Sequence, residues 1–418
     1  MRCEKYHSMS IQQIKFNFGE ILMKESILFL GVGHLQRYSI NSAKASGFTV
    51  FGVDINLNAG SATACDHFLN IDSTDVAAIY DWCRSIEGFE VVAVWANNDI
   101  LIPARASLES ALDLKVPHAS HQVCFDLLSK VRSSKILSDT GFMPQQYDLN
   151  NNTVNELDFP VIVKPKKGSG SQGVRLIKSQ IEFEEVSFSS EKEVIEEYIE
   201  GIEFGTNHFY DGENVFKLPA VRRYFDHSIT MVPLGTVMAD MRDSSLKNAY
   251  SCIEELIVNN KWKGPLKADI FIGNDQFYII EMSPRFHGEI DTSFVFDYTG
   301  LSLPDMYFSR LANLKKHPWS HSSAQLENSV CGYISICNDT VVGKDEFLVN
   351  TIAKYDLNYL SFVHSGTTTS KKTNKYPEST GDLIGFVFYS SEEKLSSDDF
   401  KQLFKDINLL EIVTSHYD

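Results

Sequence analysis

Residues 267–282, KADIFIGNDQFYIIEM, carry two apolar arms of β-branched and aromatic residues around the turn-forming GNDQ at 273–276. That symmetry predicts an antiparallel hairpin and constrains the fold more than any other stretch of the chain. With the turn centred near residue 275, Asp269 and Glu281 stand directly opposite each other on the two strands. Opposed side chains lie about 5 Å apart, where like charges repel, so something positive is expected between them. A Mg²⁺ ion suits two carboxylates because it is hard and prefers oxygen ligands. The alternative is a hairpin bearing two solvated acids that never meet. After Glu281 the strand delivers Ser283, Arg285, His287 and Glu289 within eight further positions.

The rest of the chain divides by pattern. From Ser26 to about His121, short apolar strands (SILFLGVG, GFTVFGVD, EVVAVWAN) alternate with helical segments, which implies a parallel sheet covered on both faces. The polar DLNNNTVNELD at 148–158 reads as a loop, and the strand-dense region after it is interrupted by a helix over 244–260, capped by Asp243 or Ser244. A last unit from about 328 mixes strands with the helix SSDDFKQLFKDI. These patterns predict a mixed α/β and α+β chain with domains at 24–121, 122–327 and 328–418, the second containing a glycine-loop subdomain over about 160–198.

That loop lies in FPVIVKPKKGSGSQGVRLI, residues 159–177. Lys164 ends one strand, and Gly168, Ser169, Gly170 and Gly173 follow among lysines before the next strand. Glycines allow backbone N–H groups to approach phosphate closely, and lysines neutralise it. GSGSQG fits the dinucleotide spacing by accident, since that fingerprint must open a helix and a strand follows here. LFLGVGHLQ is a better dinucleotide candidate, with Gly31, Gly33 and Asp54, but Gln36 stands where the third glycine belongs. A tight strand–helix turn is the default reading of those glycines.

The net charge of −17 supplies no basic excess for nucleic acid. Seven scattered cysteines with no CxxC are expected to be buried reduced thiols, which points to a cytoplasmic protein. No apolar run approaches a membrane span. Residues 1–22 read as a poor secretory signal with no assigned role, and Met23 is an alternative start.

In this order the motifs resemble the ATP-grasp superfamily, and within it the carboxylate–amine ligases, including amino-acid ligases that make dipeptides. The resemblance runs over roughly 26–418 and implies an ATP-grasp fold with a Rossmann-like N-terminal domain and a small C-terminal α+β domain. It implies ATP and Mg²⁺ as cofactors, Mn²⁺ as a substitute metal, small carboxylate and amine substrates, no nucleic-acid or membrane partner, and a homodimer. Carried over by residue, Lys130 and Lys164 match the two nucleotide lysines. In VIEEYIEGIEFG, Glu196 would lie near the adenine amine, Glu197 and Ile199 would offer backbone groups, and Glu203 would hold the ribose. Asp269 and Glu281 match the metal carboxylates, and Arg285 matches the arginine that steadies the substrate carboxylate. Ser283 replaces the usual Asn metal ligand, and Glu289 or His287 would take the proton of the attacking amine. His287 has a second reading as a structural hydrogen-bonding residue. Arg222 and Arg223 are candidates for a phosphate or a second carboxylate, although strand alternation sends them to opposite faces. The rival readings are an ATP-grasp carboxylase using bicarbonate, an NAD-linked oxidoreductase, and a degenerate nucleotide binder without catalysis.

Overall fold

The computed structural model describes residues 23–147, 157–273, 276–288, 303–312, 330–366 and 376–408. Four strands, Lys24–Leu30, Thr49–Val53, His67–Leu69 and Phe89–Trp95, form a parallel sheet with Lys24–Leu30 between the second and the fourth. Its residues are apolar on both faces because both faces are covered. Ile27 and Phe29 pack with the helices Arg37–Ala45 and Leu303–Leu311, while Leu28 and Leu30 pack with Val76–Ser85 and Ile102–Ala111.

A nine-stranded antiparallel sheet forms the floor of the molecule's main cleft. Its order runs Gln276–Ser283, Gly264–Gly273, Ile202–Tyr210, Val221–Tyr224, Gly235–Met238, Val330–Ile336, Gly385–Ser391 and Asn358–His364, with Val215–Lys217 paired to Ile202–Tyr210. The strands of the C-terminal unit therefore continue the same sheet as the hairpin. Period-two alternation divides the hairpin's side chains. Ala268, Ile270 and Ile279 pack beneath the sheet on Tyr250 and Ile253 of the helix Ser244–Asn259, leaving Lys267, Asp269 and Phe271 facing up. Asp243 caps that helix by accepting from the backbone of Ser245 and Leu246.

A smaller antiparallel sheet of Gln146–Tyr147, Glu193–Glu197, Val161–Pro165 and Arg175–Ile177 provides the opposite wall. A cleft of about 710 Å³ separates the two sheets, a size suited to a nucleotide and a small substrate.

Candidate active site

The hairpin places Asp269 opposite Glu281, as its sequence predicts, but by a different route. Gly273 pairs with Gln276 and Ile270 with Ile279, a register that would put Asp269 opposite Ile280. A bulge between Asp269 and Ile270 adds one residue to the partner strand and restores the Asp269–Glu281 pair.

The positive group between the two carboxylates is a side chain, Lys267. Its Nζ lies 2.7 Å from Asp269 Oδ2 and 3.0 Å from Glu281 Oε1, with only 6% of the side chain exposed. Burial works against its charge, but Asp269 and Glu281 outweigh that and hold the ammonium above its ordinary pKa. Arg223 takes the other oxygen of Asp269 at 2.7 Å and also donates to Glu203 Oε1 at 2.7 Å. Burial again opposes ionisation of Asp269, yet Lys267 and Arg223 keep its pKa well below the usual carboxylate range. Glu203 fares differently: burial and the nearby Asp269 raise it to about 7 despite Arg223. Its predicted ribose-binding carboxylate is thus drawn into this charged cluster.

His287 is buried beside the same group. Its Nδ1 accepts from Arg223 Nη2 at 2.8 Å, which leaves the ring proton on Nε2, 3.6 Å from Asp269 Oδ1. Burial holds its pKa well below the normal histidine value. With its acceptor nitrogen engaged by Arg223, the ring makes the contact that the structural hydrogen-bonding reading describes. Glu289, the other candidate base, lies outside the described residues.

Arg285 is engaged by a residue the sequence reading did not single out. Asp99, just beyond the strand Phe89–Trp95, accepts from Arg285 Nε at 2.6 Å and Nη2 at 2.5 Å, while Nη1 donates to the Phe286 carbonyl at 2.9 Å. Ser283 donates to the same Asp99 at 2.7 Å. Burial disfavours the Asp99 carboxylate, but Arg285, Lys267 and Ser283 together hold it far below the ordinary range. The expected free fork for a substrate carboxylate is therefore filled from within the chain. The Ser283 hydroxyl proton is likewise committed to Asp99, which leaves the oxygen's two lone pairs for a metal. Asn97 completes this seam by donating to the His287 carbonyl at 2.9 Å.

The opposite end of the cleft holds the glycine loop and lysines. Lys164 pairs with Glu196 in a buried contact, and Glu196 also accepts from Gln146 Nε2 at 2.8 Å. The Glu197 N–H donates to the Gln145 carbonyl at 2.9 Å, and both Glu197 and Ile199 line the cleft. Lys130 opens the helix Lys130–Leu137 and donates to the Gly168 carbonyl at 3.0 Å, with its Nζ 3.8 Å from Glu281 Oε2. Gly170 needs to be glycine: its φ is +67°, and a Cβ there would lie 2.4 Å from Thr380 Oγ1. The Thr380 N–H donates to the Gly170 carbonyl at 3.0 Å, so the C-terminal unit touches the loop directly. Ser169 and Gly173 share this loop, although Gly173 does not line the cleft.

A divalent cation fits the Asp269–Glu281 pair. Both are hard oxygen donors, Glu281 is 28% exposed towards the cleft, and a carboxylate oxygen bonded to Lys267 keeps a second lone pair. Among the described residues no cluster of three or more His, Cys, Asp or Glu side chains could hold an ion, so the other positions would fall to ligand oxygens and water. The dinucleotide alternative loses its acid: Asp54 accepts from the backbone of Val32 and Asn56, at 2.9 and 2.8 Å, and so fixes the glycine turn. Arg222 stacks over Tyr224 at 4.7 Å, while Arg223 enters the cleft, as strand alternation requires.

Residues 128–289 match the family described as ATP-grasp domain. Formate-dependent phosphoribosylglycinamide formyltransferase from Prochlorococcus marinus (strain MIT 9515) is 24% identical over 285 residues, covering 63% of this chain and 71% of the relative. An L-amino acid ligase from Bacillus licheniformis superposes with a TM-score of 0.69 at 16% identity, over 92% of this chain and 98% of that one. The biotin carboxylase domain of Hydrogenobacter thermophilus 2-oxoglutarate carboxylase, a dimer in complex with MgADP, ADP and bicarbonate, gives 0.65 at 15% identity, over 89% and 87%. Residues 128–289 thus match an ATP-grasp domain, and the cleft between two antiparallel sheets together with the superposed structures shows the ATP-grasp fold.

Proposed function

We propose that this protein is an ATP-dependent carboxylate–amine ligase that forms an amide through an acyl phosphate and releases ADP and phosphate. One observation carries the reading: the cleft joins a lysine-bearing glycine loop at one end to a charge-balanced carboxylate–cation cluster at the other. In this reading Lys164 and Lys130 face the nucleotide phosphates, Lys164 exchanging Glu196 for phosphate oxygen, and Ile199 reads the adenine edge. Asp269 and Glu281 hold Mg²⁺, which supplies charge neutralisation for phosphoryl transfer.

The substrate carboxylate oxygen attacks the γ-phosphorus and ADP departs. The amine nitrogen then attacks the acyl carbon, phosphate leaves, and the ammonium proton passes out of the site. Lys267 and Arg223 sit where negative charge accumulates in the first step, and preorganised cations act there without reorganisation. Arg285 can grip a carboxylate in two-point fashion only when Asp99 yields it. The substrates are small carboxylates and amines, an amino acid among them, and the related fold that is described as a dimer makes a homodimer the matching assembly here. Among the described residues no helix is long and apolar enough to cross a membrane.

The test is ADP release from Mg-ATP with pooled amino acids, repeated with hydroxylamine. Substrate-dependent ADP with a hydroxamate supports carboxylate activation. ADP release that instead depends on bicarbonate would replace this reading by a carboxylase.

A further inference from the structure

The sheet register allows the cleft floor to be followed residue by residue, away from the hairpin. Phe271 pairs with Glu203, Glu203 with Arg223, Arg223 with Thr236, Thr236 with Tyr333, and Tyr333 with Phe388. One strand-to-strand row thus crosses from charged to uncharged residues at a sharp boundary. Glu203 and Arg223 belong to the reactive cluster, and every partner beyond Arg223 is neutral. The neighbouring row repeats this on the far side, where Ser335 pairs with Phe386.

The walls above that floor are uncharged as well, with Ser365, Ser379 and Thr380 among a set of apolar residues. Met231 and Pro233 come from the loop before Gly235, Leu383 from the turn before Gly385, and Leu35 from the first strand–helix turn. Leu35, Tyr333, Leu383 and Phe386 pack as one cluster across three separate stretches of chain. His227, which also lines the cleft, is pushed below its ordinary pKa by burial and adds no fixed charge. The acids nearest in chain to this end, Asp226 and Asp382, do not line the cleft: Asp226 accepts from the Ser228 backbone and Asp382 from the backbone of Glu378 and Ser379.

We infer that this neutral half of the cleft is a side-chain pocket for one ligation partner, and that the partner is an amino acid or comparable small acid with an apolar or aromatic side chain. The inference rests on the ligase reading for the partner's carboxylate, which the charged half receives. The side chain then extends over Tyr333 and Phe386. A charged side chain there would lose its water without gaining an ionic partner, whereas an apolar one is favoured by leaving water.

Binding and turnover of the full chain are measured separately to keep the two readings apart. With Mg-ATP present, leucine, methionine and phenylalanine are each compared with aspartate, glutamate and lysine, by calorimetry and by hydroxamate formation. Apolar side chains should be preferred at least about tenfold, the discrimination a few methylenes provide. Met231→Lys should reverse the order, weakening the apolar amino acids and strengthening the acidic ones, while ATP-dependent thermal stabilisation shows that the variant folds. Apolar amino acids that bind with this Met231 dependence but give no ADP would support the pocket and refute the ligase reading. Equal binding of charged and apolar amino acids, or no binding by either, would overturn the pocket.

Discussion

Replacing Lys267 with methionine keeps most of the buried stem and removes the charge between Asp269 and Glu281. Both carboxylate oxygens touch one nitrogen, at 2.7 and 3.0 Å, so they lie within about 6 Å of each other. Two unit charges at that distance repel by about 3 kcal/mol at an effective dielectric of 20. Arg223 on Asp269 and Lys130 near Glu281 remain and relieve part of this. A loss of about 2 kcal/mol is expected, below the roughly 3–5 kcal/mol that breaking a fully buried pair costs, because Glu281 is partly exposed. With about 2.1 cal/mol/K of unfolding entropy per residue, the 418-residue chain converts this to roughly 2 °C in Tm. The more telling readout is Mg²⁺: with the ammonium gone, the cation should stabilise the variant more than the wild type. Differential scanning calorimetry with and without Mg²⁺ measures both effects. A Lys267→Met protein with unchanged Tm and unchanged Mg²⁺ response would refute the claim that Lys267 offsets the repulsion between the two carboxylates.

Three further outcomes follow from the geometry. Glu281→Gln should lower kcat/KM at least about 100-fold, since metal charge supplies several kcal/mol to phosphoryl transfer, while circular dichroism stays native. Gly170→Ala forces a Cβ onto Thr380 Oγ1 at a φ of +67°, so KM for ATP should rise several-fold; adding Thr380→Ala should recover part of it, because the backbone strain remains. His208 is fully buried, and burial together with Lys217 depresses its pKa to about 3. The unfolded chain therefore binds a proton near pH 6.5 that the folded chain refuses, and stability is lost as pH falls from about 6.5 towards 3, by up to about 1.4 kcal/mol per unit from this group. Comparing urea midpoints of wild type and His208→Gln across that range should show a shallower decline in the variant.

The hairpin was legible because strand alternation and a central turn signal need only local information. Even so, the correct Asp269–Glu281 pairing arises from a bulge that no local pattern announced. Lys267 carried a readable signal. It stands two residues before Asp269, hence on the same strand face, and the repulsion between the carboxylates called for a cation in that place. Asp99 carried none: 186 residues separate it from Arg285, and only the packing of the parallel sheet against the hairpin strand brings them together. The role of Arg223 was half visible, since alternation predicted that one of the two arginines would face the cleft but could not choose between them. The glycine loop was readable as a turn between two strands, whereas its contact with Thr380 depends on a segment 210 positions later, across a sheet closed by the C-terminal strands.

The central claim is that a substrate carboxylate oxygen becomes bonded to phosphorus. It is tested most directly by labelling both carboxylate oxygens of an accepted amino acid with ¹⁸O and analysing the released phosphate by mass spectrometry. Transfer of one label per phosphate is the predicted result. Phosphate that carries no label during substrate-dependent ADP release would contradict the acyl-phosphate mechanism.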